Sequence, residues 1–161
     1  MAIPMDQFWR SNVYQHPRLT DEMIAIAEQT LGVKLPVEYI ELLRLQNGGE
    51  THGFGFRMTV PTSWAENHVP LNDMTGIVID PEICTAQNIL DTAYMTREWS
   101  LPPHQALLCG DGHWWITLDY RQGPLPSVAW IDVECDQDIQ VAPSFAAFLE
   151  GLVPIAEIVG P

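Results

Sequence analysis

Two alternating segments on either side of a turn constrain the fold more than any other part of the chain. Residues 113–120 and 127–134 flank the turn formed by Gln122, Gly123 and Pro124. Because strand side chains alternate between two faces, this pattern predicts an antiparallel hairpin. In the predicted register, the apolar face pairs Trp114 with Val133, Ile116 with Ile131, and Leu118 with Ala129. The other face pairs His113 with Glu134, Trp115 with Asp132, and Thr117 with Trp130.

Carboxylates continue this alternation along the second strand and beyond its end. Together with two tryptophans of the same face they give six candidate partner-binding residues: Trp115, Trp130, Asp132, Glu134, Asp136 and Asp138. Tryptophan is enriched at the energetic centres of protein interfaces. Two alternatives stay open. Helices could cover this face and place both tryptophans in the core, or residues 136–138 could form a turn whose charges are only solvated.

Helix signals dominate the N-terminal part of the chain. Thr20 is a predicted N-cap and Gly32 a predicted end for the first helix, which carries acidic residues in its first turn. Pro36 is predicted at the first position of a second helix that ends at Asn47-Gly48-Gly49. These two elements form a predicted helical hairpin.

The remaining pattern predicts an α+β fold in one domain over residues 1–161. A strand is expected over 75–79, a middle helix from Pro81 to about Ser100, and a strand over 106–109. Ser144 is expected to cap a C-terminal helix. The expected architecture is a largely antiparallel sheet with the helical hairpin, the middle helix and the C-terminal helix packed around it.

The charge of the chain bears on the class of partner. The formal net charge is −14 with a single lysine, Lys34, and residues 71–150 carry twelve acidic side chains against two arginines. Direct nucleic-acid binding is disfavoured, because phosphate recognition needs clustered Lys and Arg. The acidic surplus favours either simple solubility or electrostatic steering toward a basic partner, and both interpretations stay open.

Several other classes of protein fit the sequence poorly. No apolar run is long enough to span a membrane and no signal-peptide pattern is present, so we expect a cytoplasmic protein without membrane association. Cys84, Cys109 and Cys135 are expected to be reduced and mostly buried. The histidine and cysteine spacings match no zinc motif, and no nucleophile or phosphate-binding motif is present. We therefore expect no catalytic residues, no metal and no cofactor.

Four stretches of the chain resemble the SUKH superfamily, the Smi/Knr-type family. They cover residues 19–49, 107–120, 127–134 and 144–152, and the first carries the most specific pattern, L-G-V-K-L-P-V-E-Y followed by N-G-G. The resemblance implies helices around a largely antiparallel sheet and a non-enzymatic role. It also implies structural roles in caps, turns and core for the recurrent positions, which here are Leu35, Pro36, Gly48, Gly110, Asp111, Asp119 and Phe145.

The same resemblance leads to two functional hypotheses. Bacterial members resemble immunity proteins that bind and neutralise toxins, so the expected partner is a basic toxin domain, with a nuclease as the first choice. The alternative is an intracellular scaffold or regulatory protein of the Smi/Knr type with no toxin partner. A monomer and a homodimer are both compatible with the sequence.

Overall fold

A computed structural model describes residues 3–160 of the chain. Its strands pair antiparallel, most of them with their neighbours in sequence, and its helices lie between and after these runs of strands, which confirms the predicted α+β class. Five α-helices lie at α1 (Asp21–Leu31), α2 (Val37–Leu45), α3 (Thr92–Trp99), α4 (Phe145–Gly151) and α5 (Ala156–Val159). Eight strands lie at β1 (Trp9–Ser11), β2 (Gly49–Arg57), β3 (His68–Met74), β4 (Gln105–Gly110), β5 (Trp114–Asp119), β6 (Ser127–Asp132), β7 (Gln137–Ala142) and β8 (Leu152–Pro154).

These strands form two antiparallel sheets where the sequence predicted one. The first sheet has the order β1-β2-β3, and β8 also pairs with β2. The second sheet is a meander in the order β4-β5-β6-β7. Side chains of both sheets meet in one apolar core that includes Phe54 and Leu71 of the first sheet and Ile116, Leu118 and Trp130 of the second.

The predicted hairpin exists as β5 and β6, but its register is wrong by one residue. Trp114 lies opposite Asp132, Ile116 opposite Trp130, and Leu118 opposite Val128. A slip of one residue moves every side chain of one strand to the other face of the sheet. Apolar side chains occupy both faces of these strands, so the alternation in the sequence does not distinguish the two registers.

Both faces of the second sheet are covered, as the open alternative for the tryptophans expected. Trp130 lies in the main core, whereas Trp115 joins a smaller cluster with Leu101, Leu107, Ala129 and Ile131. Met95 of α3 packs against this smaller cluster. Trp115 and Trp130 are 5% and 1% exposed, so neither side chain lies on the surface.

The two N-terminal helices match their predicted limits closely. The Thr20 hydroxyl accepts a hydrogen bond from the Met23 amide at 3.2 Å, and Gly32 ends α1 with a φ of 71°. Pro36 has an extended backbone and is the N-cap of α2, so that helix begins one residue later than predicted. Ser144 caps α4 by accepting from the Ala147 amide at 3.0 Å.

The middle of the chain differs from its prediction. Residues 75–79 are not a strand, and the predicted helix from Pro81 is reduced to a 3-10 turn at Ile89–Asp91 followed by α3. The Asn88 side chain accepts from the amides of Val78 and Leu90 and donates to the Val78 carbonyl. Such side-chain bonds offer the backbone an alternative to helix or sheet pairing. The expectation of mostly buried cysteines is also wrong, because Cys109 is buried but Cys84 and Cys135 are exposed.

Asn47 explains why the chain carries Asn-Gly-Gly after α2. Its side-chain amide donates to the Pro17 and Ile77 carbonyls, and its Oδ1 accepts from the Ile77 amide at 2.7 Å. A Cβ on Gly76 would approach the Asn47 carbonyl oxygen to 2.2 Å, and Gly48 holds a φ of 83°. The segment after α2 therefore docks on the segment after β3 through close backbone contact and a fully hydrogen-bonded buried amide.

Replacement of Asn47 by alanine should destabilise the fold by about 3 kcal/mol, because it leaves buried backbone groups without hydrogen-bond partners. Urea unfolding at neutral pH measures this difference. Asn72 is exposed on β3, and Asn72→Ala should change stability by no more than about 0.5 kcal/mol. Equal effects of the two substitutions would contradict the role assigned to Asn47.

Candidate partner-binding site

The six residues predicted to bind a partner separate into two groups. Trp115, Trp130 and Asp132 are buried, whereas Glu134, Asp136 and Asp138 are exposed. We call residues 133–136, which join β6 to β7, the acidic turn. The exposed part of the predicted site is thus this turn and the first residues of β7.

A buried carboxylate fixes the acidic turn. Asp132 is 2% exposed, and its carboxylate accepts from the amides of Glu134 and Cys135 at 3.0 and 3.1 Å. It also accepts from the Ser63 hydroxyl and from His113 Nδ1, the latter at 3.1 Å. We call these contacts the Asp132 network. It ties the loop between β2 and β3 to the start of β5 and to the turn after β6.

The Asp132 network shifts the pKa values of its own members. Burial alone would raise the pKa of Asp132, but the hydrogen bonds from Ser63, His113 and the two amides lower it to about 2. The hydrogen bond to Asp132 raises the pKa of His113, and the nearby charge of Glu134 acts in the same direction. Glu134 Oε2 lies 3.7 Å from His113 Nδ1 with its side chain 63% exposed. Asp132 is therefore a charged structural group, and Glu134 is the carboxylate that faces solvent.

Asp138 is exposed, but an arginine neutralises it. Arg121 donates to both carboxylate oxygens of Asp138 at 2.6 and 2.8 Å and to both oxygens of Asp119. Asp119 orients Arg121 and also accepts a hydrogen bond from Gln105 Nε2 at 2.9 Å. Within residues 3–160, neither Glu134 nor Asp136 pairs with an arginine, although Glu134 Oε2 lies 3.7 Å from His113 Nδ1, so the exposed negative charge of the site lies more at these two residues than at Asp138.

An aromatic stack that the sequence reasoning missed lies beside the acidic turn. Trp64 contacts Trp114 with ring centroids 5.4 Å apart, and Trp114 stacks on Trp130 at 5.1 Å. We call these three residues the tryptophan stack. Trp64 is 45% exposed, Trp114 is partly buried and Trp130 is buried. Trp64 belongs to a loop whose sequence has no regular alternation of apolar residues. Its neighbours Pro61 and Ser63 are typical of turns, and they are the sequence signal for its surface position.

The grouping of Ser63, His113 and Asp132 does not have the geometry of a nucleophilic triad. In a triad the hydroxyl donates to the imidazole, which the carboxylate orients from the other side. Here Ser63 and His113 both contact Asp132, which lies between them. Desolvation raises the pKa of the Cys135 thiol, and the nearby carboxylates of Asp132 and Glu134 raise it further. The group acts as a structural clasp for the loop and the turn.

Within residues 3–160, no group of three or more His, Cys, Asp or Glu side chains could hold a metal ion. None of the helices in this range is long and apolar enough to cross a bilayer.

The fold and site define the class of this protein: an α+β module with two antiparallel sheets, a clasped turn and an exposed tryptophan at one end. The chain belongs to the SMI1 / KNR4 family (SUKH-1), whose family model matches residues 18–151. Modules of this family are toxin-immunity or Smi/Knr-type proteins, and the family is generally non-enzymatic. No curated protein matched the chain significantly.

The structure gives structural roles to several of the positions that the resemblance singled out. Leu35 and Phe145 lie in the core. A Cβ on Gly110 would approach Trp115 to 2.3 Å, so glycine is required where β4 passes that ring. Asp111 is exposed, and its amide donates to the Trp114 carbonyl in the turn before β5. These positions serve the fold.

Replacement of Asp132 by asparagine should destabilise the protein by about 2 kcal/mol near neutral pH, because the pKa of Asp132 is depressed in the folded state. A depressed pKa stabilises the fold above the ordinary pKa of 3.8. This stabilisation is lost as the pH falls toward 2, so the difference between the two proteins should shrink in acid. Urea unfolding at a series of pH values measures it.

Asp136→Asn is the control for this pH series, because Asp136 is exposed. Its effect on stability should stay within about 0.5 kcal/mol at every pH. A destabilisation by Asp132→Asn that stayed the same in acid and at neutral pH would show that the charge of Asp132 is not what stabilises the turn.

Proposed function

We propose that this chain is a cytoplasmic immunity protein that binds a basic toxin domain, and that the acidic turn is part of the contact surface. The observation that carries the proposal is the pair of exposed carboxylates, Glu134 and Asp136, on a turn whose backbone is fixed by a buried aspartate. Family membership supports binding of a protein partner such as a toxin. The net charge of −14 favours a partner of opposite sign.

Exposed carboxylates on a fixed turn affect both the rate and the affinity of association. Clustered carboxylates steer a basic partner and raise the association rate, which then falls with ionic strength. A turn that is already ordered loses little conformational freedom on binding. A nuclease toxin is the first choice because its nucleic-acid groove must be basic. An acidic protein seated in that groove excludes the nucleic acid without performing any reaction.

The alternative proposal is an intracellular scaffold or regulator of the Smi/Knr type. The family contains both kinds of module, which is the observation that favours keeping it. In that case the acidic surplus serves solubility, and the partner need not be basic. A modular toxin gene beside the gene for this chain, with protection of cells against that toxin, supports the first proposal. Absence of such a gene, together with recovery of a non-toxin partner from the native host, supports the second.

Neutralisation of the acidic turn by Glu134→Gln and Asp136→Asn should slow association with the neighbouring toxin domain about tenfold at low salt. The slope of the rate against salt concentration should also become smaller. Stopped-flow fluorescence measures both quantities. Asp132 is left unchanged, because its replacement would disrupt the turn itself.

A matched control removes the same number of charges elsewhere. Glu22 and Glu82 are both exposed and lie outside this surface, so Glu22→Gln with Glu82→Gln changes the net charge equally. This control should slow association much less. The same decrease in both double variants would show that only the overall charge matters, and the assignment of the acidic turn would then be wrong.

A further inference from the structure

Trp64 is an exposed aromatic side chain in a fixed position. It is 45% exposed although it is the largest kind of apolar residue, and it lies in the loop that joins β2 to β3. Its ring contacts Trp114, which in turn stacks on the buried Trp130. The exposed ring is thereby supported from below by the core of the second sheet.

The loop backbone around Trp64 is also held in place. The Thr62 hydroxyl accepts from the amides of Trp64 and Ala65, and the Thr62 amide donates to the Ala65 carbonyl at 2.9 Å. The Ser63 amide donates to Gln137 Oε1 at 2.8 Å, and the Ser63 hydroxyl donates to Asp132. A side chain presented on such a support is ordered before a partner arrives, which lowers the entropic cost of binding.

The charges around this ring select the kind of group that it can receive. Gln137 and Asp132, the two residues that hold Ser63, border the acidic turn on both sides, so Glu134 and Asp136 lie in the segment beside Trp64. Two cationic side chains near this surface already contact carboxylates: Arg121 pairs with Asp119 and Asp138, and His113 contacts Asp132 and, at 3.7 Å, Glu134. The face of a tryptophan ring attracts cations, and a guanidinium group both stacks on it and pairs with carboxylates.

We infer that Trp64 is the anchor of the partner-binding surface and that it receives an arginine side chain of the partner between its ring and the carboxylates of the acidic turn. The inference rests on the proposed function, which supplies the basic partner. The inference adds a contact residue, Trp64, and a chemical group, the guanidinium of arginine. Electrostatic steering alone would require neither.

A peptide titration followed by NMR tests this contact directly. The probe is the capped peptide Gly-Arg-Gly-Arg-Gly, added to the full chain labelled with ¹⁵N, and the readout is the set of tryptophan indole signals. Signals of Trp64 and Trp114 should shift and saturate, while that of Trp9, whose Nε1 donates to the Leu42 carbonyl, should stay in place. A peptide with citrulline in place of arginine should bind at least about fivefold more weakly, because it keeps the shape and lacks the charge.

Variants separate the aromatic contribution from the charge. Trp64→Leu should weaken arginine-peptide binding about fivefold, read from the Trp114 signal, while Trp64→Phe should weaken it less because an aromatic face remains. Leu125→Ala is the control, since Leu125 is 88% exposed in the turn at the opposite end of β6, and binding should not change. A lysine peptide should bind more weakly than the arginine peptide.

Three outcomes would overturn the inference. They are equal shifts at all the tryptophans, equal affinity for the citrulline peptide, and unchanged affinity in Trp64→Leu. Each is distinguishable from failure of the proposed function. If association with the toxin still depends on Glu134 and Asp136 while the peptide does not recognise Trp64, the acidic turn stands and only the anchor fails.

Discussion

The buried carboxylate of Asp132 is the contact on which the geometry of this end of the molecule depends. Four hydrogen bonds converge on it, from one hydroxyl, one imidazole and two backbone amides. They bring together a loop of the first sheet, the start of β5 and the turn that follows β6. Burial of an ionised group is costly unless it is hydrogen-bonded, and here the bonding is sufficient to keep the pKa at about 2. The negative charge of the buried Asp132 therefore stabilises the folded state, whereas the surplus of negative charge on the surface disfavours a compact state.

The α+β class, the helices α1, α2 and α4 and the strands β4, β5 and β6 could be predicted from the sequence, whereas the strands of the first sheet could not. Thr20, Gly32, Ser144 and the alternation in 113–134 each act through local chemistry, which a sequence displays directly. The register of β5 and β6 could not be predicted, because both faces of these strands are apolar and both are covered. The irregular structure of residues 75–88 could not be predicted either. Its backbone is hydrogen-bonded by the side chain of Asn47, which is distant in sequence, and by that of Asn88, which lies outside any helix.

At the candidate site, the exposed carboxylates could be chosen from the sequence and the exposed tryptophan could not. The acidic alternation singled out Glu134 and Asp136, which are exposed, and their role in binding a partner stays a prediction. The tryptophans chosen as anchors are buried because both faces of the second sheet are covered, and Asp138 is paired with Arg121, seventeen residues away in sequence. Trp64 could not be chosen from the sequence, because its contact with Trp114 joins elements separated by fifty residues. Pairings of this kind exist only once the two sheets have met.

The pairing of β8 with β2 has a consequence for the order in which the chain can fold. Phe54 lies opposite Pro154 in the first sheet, so this ladder closes a loop of about one hundred residues, and such closure is slow in comparison with local pairing. The meander β4-β5-β6-β7 needs only residues 105–142, and each of its strands pairs with the next. During synthesis both the β1-β2-β3 part of the first sheet and the meander can therefore form before residues 152–154 are available, and β8 is added last. The Asp132 network, which joins the loop between β2 and β3 to the end of β6, needs no residue beyond 135 and can also form before β8 is in place.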